Sequence, residues 1–159
     1  MDETYIKINK QWHYLYRAVD STGATLDFML STARDADAAE QCFRRILDAR
    51  HTTLPRVITV DKNAAYPPAF DALQHEGTLP EICQLRQGKY LNNVIEQDHR
   101  FVKCRVNPGL GFGAFTTAQR TIQGYEAMHM IRKGQLEGIT KRDVLAQNGV
   151  INRLFGLAA

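Results

Sequence analysis

Alternating apolar and polar positions dominate the first 31 residues of the chain. The pattern predicts three strands, over residues 4–8, 13–19 and 25–30. Alternation is clearest over residues 14–19, and turn-forming segments at residues 9–11 and 21–23 separate the three runs. We therefore expect an antiparallel meander at the start of the chain.

Helical spacing replaces this alternation in the next segment. Apolar residues recur every three or four positions from Ala39 to Leu47, and Asp37 followed by Glu40 has the form of a capping box. The pattern predicts an amphipathic helix that continues through Arg50. Because this helix lies between two strand-like runs, it would be a crossover that brings the next strand in parallel to a neighbour.

A strand, a helix and a shorter strand are predicted in the middle of the chain. The β-branched run at residues 57–60 is typical of a buried strand. Asn63 can cap the following helix, which has two prolines near its first turn, and Gly77 can end it. Residues 79–85 offer a short fifth strand.

Three helices are predicted in the remaining sequence. The first would be capped by Asn92 or Asn93 and would end at a loop rich in proline and glycine. The longest would be capped by Thr116 or Thr117 and would end near Arg132. A last short helix would cover residues 142–147, ended by an Asn-Gly pair.

The order of these elements predicts an α/β fold with a mixed five-stranded sheet flanked by helices. The 159 residues, 44% of them hydrophobic, are enough for one sizeable core, so we expect a single domain over residues 1–159. No apolar run approaches the roughly 18 residues that a membrane span needs. We expect a soluble protein.

Charge and cysteine content narrow the classes of function. Residues 1–83 carry 9 Lys and Arg against 12 Asp and Glu, whereas residues 84–159 carry 11 against 5. The second half is therefore the better candidate for contact with a polyanion, although such an excess is also typical of an ordinary solvated surface. The three cysteines lack metal-ligand spacing, which argues against a zinc site and favours a reduced, cytosolic compartment.

Two acidic residues stand where metal-dependent chemistry would use them. Asp61 follows the strand at residues 57–60, and sites in α/β sheets usually lie at the carboxyl ends of strands. Glu96 follows after 34 intervening residues and shares a predicted helix face with Arg100 and Lys103. A carboxylate beside two cations suits phosphodiester chemistry. Asp2, at the start of the first strand, is the natural third acid for a metal pair.

Five segments resemble a known family. Residues 2–7 read D-E-T-Y-I-K, residues 14–20 Y-L-Y-R-A-V-D, residues 60–66 V-D-K-N-A-A-Y, residues 92–100 N-N-V-I-E-Q-D-H-R and residues 127–135 A-M-H-M-I-R-K-G-Q. Together they resemble the DDE transposases of bacterial insertion sequences, most closely the insertion-sequence family numbered six. These enzymes belong to the retroviral integrase superfamily, so the resemblance implies a ribonuclease-H-like fold.

The resemblance also implies a catalytic site. The triad would be Asp2, Asp61 and Glu96, which would serve both as catalytic residues and as ligands of two Mg²⁺ or Mn²⁺ ions. Lys103 takes the place of the family's basic residue seven positions after the glutamate. Asp20, at the end of the second strand, is the alternative for the first acid.

The resemblance further implies DNA as the partner, both transposon ends and target. Arg86, Lys89, Arg100 and Lys103 would hold phosphates by charge rather than by reading sequence. A homodimer or higher multimer in the bacterial cytoplasm, associated with the nucleoid when bound to DNA, is expected.

Other interpretations of the sequence stay open. The family's helix-turn-helix region and Trp-containing strand start have no counterpart before Asp2, so a catalytically inactive remnant that keeps DNA or partner binding is an alternative to an enzyme. A structure-specific nuclease of the same fold is another. The aromatic residues Trp12, Tyr14 and Tyr16 could stack on bases, but aromatics on a strand are more often core or cross-strand pairs.

Overall fold

The computed structural model describes residues 1–49, 53–88 and 93–157. Within them the fold is α/β, with five α-helices and two small sheets. Tertiary contacts divide the chain into two compact units, residues 1–118 and residues 119–159. The expectation of a single domain stays a prediction.

The first sheet is the predicted antiparallel meander. Its strands are β1 (Asp2–Ile8), β2 (Gln11–Val19) and β3 (Thr25–Ser31). Asn9 and Lys10 both have positive φ and form a two-residue turn, so pairing continues to the end of the hairpin and β2 begins earlier than predicted. Asp2 lies opposite Arg17 in this register.

The second sheet has two parallel strands, β4 (Val57–Val60) and β5 (Gln84–Gln87). The predicted bounds of β4 are confirmed. The prediction for β5 began too early, because the chain turns after Leu79 and the amide of Cys83 bonds the carbonyl of Pro80 before pairing with β4 begins.

The described residues form two sheets where one five-stranded sheet was predicted. The two sheets adjoin at the start of β1, where the Met1 amino nitrogen donates a 2.7 Å hydrogen bond to the Thr59 carbonyl. One such bond is not a strand ladder, so β1 and β4 remain members of different sheets. It does place the start of β1 beside the end of β4.

The first two helices, α1 (Ala36–Asp48) and α2 (Tyr66–His75), pack against each other in the main core. Asp35 rather than Asp37 caps α1, because its carboxylate accepts from the Ala38 amide, so the predicted capping box is wrong. Asn63 does not cap α2 either, since its side chain accepts from the Ala65 amide in the preceding turn.

The helix α3 (Asn93–Val106) lies against the meander. Its side chains Ile95 and Val102 are buried. Asn92, one of the two predicted caps, lies outside the described residues. The side chain of Asp98 anchors α3 through an ion pair with Arg17 on β2, with 2.7 Å between Oδ2 and Nη2.

Two further helices complete the described chain, α4 (Phe115–Lys133) and α5 (Val144–Leu154). α4 begins before the two threonines that were predicted to cap it. Asp143 caps α5, and the helix continues through Asn148 and Gly149, where the prediction ended it. A glycine inside a helix costs only about 1 kcal/mol. No helix in the described ranges has the length and apolar character needed to cross a bilayer.

Candidate functional site

Three carboxylates meet where the two sheets adjoin. Asp2, Glu3 and Asp61 can each offer an oxygen atom such that all three atoms lie within 4.8 Å of one another. Asp2 and Glu3 belong to β1, and Asp61 directly follows β4. The hydrogen bond from Met1 to Thr59 holds these two chain segments together.

Glu3 is the member of this group that the sequence did not single out. Its carboxylate is buried and accepts hydrogen bonds from Arg34 Nε at 2.5 Å, from Asn63 Nδ2 at 2.9 Å and from the Tyr66 hydroxyl. Burial and the Glu3 carboxylate raise the pKa of Tyr66, which stays a hydrogen-bond donor. One signal in the sequence could have pointed to this network, since Asn63 and Tyr66 belong to the segment that follows Asp61.

Arg34 is a cation beside the acidic group. Besides its bond to Glu3, its Nη2 atom lies 3.7 Å from Asp61 Oδ2. Arg34 follows β3 in the chain, and no local pattern marks it as part of a site. It reaches the carboxylates because β3, β2 and β1 are neighbours in the meander.

The ionised form of Asp61 is disfavoured in this setting. Burial raises the pKa of Asp61, and the nearby carboxylates of Glu3 and Asp2 add to the rise. The backbone amide of Asn63 and the charge of Arg34 act in the opposite direction without cancelling it. A cation placed among these carboxylates would relieve the cost of keeping Asp61 ionised.

Asp2 lies on the side of β1 that faces α3. His99 Nε2 is 3.5 Å from Asp2 Oδ2, and the imidazole is almost completely buried. Glu96 is one helical turn before His99, in the first turn of α3, and its side chain is exposed. Among the described residues it is not a member of the group formed by Asp2, Glu3 and Asp61.

The rival acid, Asp20, has a local role in the turn between β2 and β3. Its carboxylate accepts hydrogen bonds from the amide and hydroxyl of Thr22 and from the amide of Ala24. Burial acts to raise its pKa, but these hydrogen bonds outweigh burial and lower it. Asp20 is not part of the acidic group in the described structure.

The predicted DNA-binding cations lie on two elements. Arg86 is exposed on β5, opposite Thr59 of β4. Arg100 and Lys103 are exposed on α3. Lys89 lies outside the described residues.

The donor set fits a hard divalent cation. Carboxylate oxygens are the ligands that Mg²⁺ and Mn²⁺ prefer, and the two aspartates come from separate elements with part of each side chain accessible. Asp2 and Asp61 are the residues of this group that can hold such an ion, because Glu3 is engaged by three donors.

Comparison with known proteins finds transposases of insertion sequences among the relatives of this chain. The chain is 35% identical over 133 residues to the transposase of the insertion sequence-like element IS431mec of Staphylococcus aureus, strain Mu50, covering 84% of this chain and 57% of the relative. The transposase of insertion sequence element IS257 in transposon Tn4003, also from Staphylococcus aureus, matches with the same identity and coverage. The chain thus spans little more than half the length of these relatives.

A shorter match and a family model complete the comparison. An uncharacterised protein of Yersinia pseudotuberculosis is 35% identical over 85 residues, which cover 53% of this chain and 79% of that protein. No solved structure gives a significant match. A family model described as a DDE domain matches residues 1–135, a range that contains Asp2, Asp61 and α3. The chain therefore belongs to the DDE domain family of transposases.

Proposed function

We propose that this chain is the catalytic domain of a DDE transposase, which cuts DNA strands at the ends of an insertion sequence and joins them to target DNA. One observation carries the proposal. In a chain that belongs to the DDE domain family, Asp2 at the start of β1 and Asp61 directly after β4 bring carboxylate oxygens within 4.8 Å of each other. Carboxylates that converge in this way are what metal-dependent phosphoryl transfer needs.

The proposed catalytic triad, which is also the proposed metal-ligand set, is Asp2, Asp61 and Glu96. DDE domains use divalent metal ions, and we assign two Mg²⁺ or Mn²⁺ ions to this site. When bound, such ions activate the attacking hydroxyl and stabilise the leaving oxygen. The contact between His99 and Asp2 supports the inclusion of Glu96, because residues three apart share a helix face.

Glu3 has a supporting role in this proposal. Its buried carboxylate is held by Arg34, Asn63 and Tyr66, and freeing it to bind an ion would break hydrogen bonds to a charged group. Glu3 and its donors instead fix the start of β1 against the segment after β4. They keep Asp2 and Asp61 close together.

DNA contact in this proposal depends on charge. Arg86, Arg100 and Lys103 are exposed cations, and with Lys89 they would bind phosphates. The partners are transposon ends and target DNA, and the working form is a homodimer or higher multimer at the bacterial nucleoid. In the active assembly we expect β1 and β4 to pair further, which would join the two sheets into the five-stranded ribonuclease-H-like sheet.

Metal binding can be tested without measuring catalysis. Thermal unfolding should be recorded with EDTA, with Mg²⁺ and with Mn²⁺. An ion at about one hundred times its dissociation constant stabilises the folded state by about 2.7 kcal/mol. Asp61→Asn should lose most of this gain, whereas Asp20→Asn should keep it because Asp20 lies outside the acidic group.

Catalysis requires a separate assay. The chain and its Asp2→Asn, Asp61→Asn, Glu96→Gln and Asp20→Asn variants should be incubated with a DNA bearing the element end, with Mg²⁺ or Mn²⁺, and both cleavage and joining to a target plasmid should be measured. We expect the first three variants to be inactive and Asp20→Asn to be active. Equal cleavage by all four variants would rule the triad out, and DNA binding without any cleavage would favour a non-catalytic remnant.

A further inference from the structure

A partly exposed aromatic surface lies toward the turn of the β1–β2 hairpin, on the side of the sheet that carries Tyr16 of the main core. It consists of the exposed rings of Tyr5 and Trp12 and the partly buried ring of Tyr14, which packs against the core, and we call it the aromatic face. The Tyr5 and Trp12 ring centroids are 6.1 Å apart in an edge-to-face arrangement, and those of Tyr5 and Tyr14 are 5.4 Å apart. Trp12 is 59% exposed and Tyr5 49% exposed, although tryptophan side chains are on average highly buried.

Strand register explains which side chains form the aromatic face. Tyr5 lies opposite Tyr14, and Lys7 opposite Trp12, so these four side chains point to the same side of the sheet. The next pair on this side, Glu3 and Tyr16, is buried. Cross-strand packing accounts for the ring contacts, but it leaves about half of Trp12 and of Tyr5 in contact with solvent.

Positive charge accompanies the rings. The Lys7 Nζ atom lies 5.8 Å from the centre of the Trp12 ring, and the Arg34 guanidinium carbon lies 5.9 Å from the centre of the Tyr5 ring. Lys10, in the hairpin turn, adds a further exposed cation. Aromatic rings with interleaved cations are the combination that binds the bases and phosphates of single-stranded nucleic acid.

The aromatic face continues from the acidic group. Arg34 contacts Glu3 and Asp61 and also donates to the Tyr5 hydroxyl at 3.3 Å. Tyr5 is two residues from Glu3 on the same side of β1, about 7 Å at the rise of an extended strand. A strand of nucleic acid that reaches the carboxylates could therefore also reach these rings.

We propose that the aromatic face binds unpaired bases of a single DNA strand next to the acidic group. The choice of DNA rests on the proposed function, whereas the preference for a single strand rests on the rings, because the bases of a duplex have their faces covered by stacking. Each ring offers a flat surface for any base, so the interaction should show little sequence preference. The cations beside the rings would neutralise the phosphates of the same strand.

The test uses the chain's own fluorescence, because Trp12 is the one tryptophan among the 159 residues. A single-stranded oligo-dT of about ten nucleotides, within the range of known single-strand sites, should quench Trp12 emission in EDTA at low salt. Affinity should be measured separately by the anisotropy of a labelled oligonucleotide. We expect Trp12→Ala and Tyr5→Ala to weaken binding about tenfold each, and Trp12→Phe to retain most of the affinity.

Controls separate stacking from loss of folding. Trp12→Leu keeps an apolar side chain but removes the aromatic ring, so it should bind as weakly as Trp12→Ala while it unfolds at nearly the wild-type temperature. Phe155→Ala removes an aromatic side chain that is 69% exposed in the other compact unit, and it should bind oligo-dT like wild type. Binding of a duplex of the same length should not depend on Trp12.

The proposal is overturned if the aromatic variants bind oligo-dT like wild type, or if they weaken duplex binding equally. It is also overturned if they change the oligomeric state in sedimentation and leave oligo-dT affinity unchanged, since the face would then contact protein. Oligo-dT binding that depends on Trp12 in a chain that never cleaves DNA would contradict only the proposed enzyme function. Cleavage without any dependence on Trp12 for single-strand binding would contradict only this inference.

Discussion

The buried ion pair between Arg17 and Asp98 should be costly to break. Arg17 is fully buried on β2, and the Asp98 side chain is 8% exposed on α3. Truncating Asp98 to alanine leaves a buried guanidinium without the carboxylate that lies 2.7 Å from it. Removing one partner of a buried pair costs about 3–5 kcal/mol, a large part of the roughly 5–15 kcal/mol that stabilises a typical domain.

Urea unfolding followed by circular dichroism gives the required free energies. Asp98→Ala should lower the free energy of unfolding by about 3–5 kcal/mol with little change in the dependence on urea. The matched control is Glu40→Ala, which removes a carboxylate 2.8 Å from Arg44 where both side chains are about one-third exposed. An exposed pair of this kind contributes about 0.2–1 kcal/mol.

A double replacement tests the cause of the loss. Changing Arg17 to Met and Asp98 to Leu together removes both charges and fills the space with apolar side chains, and such exchanges are often neutral or stabilising. We therefore expect the double variant to be more stable than Asp98→Ala. If Asp98→Ala costs no more than Glu40→Ala, or if the double variant is less stable still, the buried charge is not what holds α3 on the sheet.

Three further predictions concern the site and its support. Burial raises the pKa of Asp61 in the folded protein, so the ionised carboxylate lowers the stability at any pH above that pKa. This loss of stability disappears as the pH falls through the raised pKa. Asp61→Asn should therefore raise the melting temperature at neutral pH in EDTA and should give no gain near pH 4. Tyr66→Phe removes a donor to the buried Glu3 carboxylate and should cost about 1.5–3 kcal/mol in urea unfolding. Gly111 has φ of +105°, and a Cβ there would lie 2.4 Å from a β1 carbonyl oxygen, so Gly111→Ala should lower the melting temperature, whereas Gly113→Ala, with open space around it, should not. A neutral Gly111→Ala, an unchanged Tyr66→Phe or a destabilised Asp61→Asn at neutral pH would each contradict its prediction.

Local patterns determined most of the secondary structure and the position of one acid. The meander, the bounds of β4 and the helix α1 follow from periodicity, because apolar spacing at two or at 3.6 residues dictates which face is buried. Capping residues, prolines and glycines predicted the other helices of the described residues. Asp61 could be placed at the end of β4 for the same reason. The helix ends were less predictable: Asp35 caps α1 instead of Asp37, since both residues offer a suitable side chain and only the backbone conformation distinguishes them.

Only the tertiary structure decided which residues from distant segments contact one another at the site. Glu3 meets Tyr66 across 63 residues and Arg34 across 31, and no sequence pattern connects residues so far apart. The same holds for Arg17 with Asp98 and for Asp2 with His99, which bring α3 onto the sheet beside the first acid. The sequence alone determined which residues carry charge and where β1, β2 and β4 end. Which charges are buried, paired or left accessible depends on packing between distant segments, and that packing exists only in the folded chain.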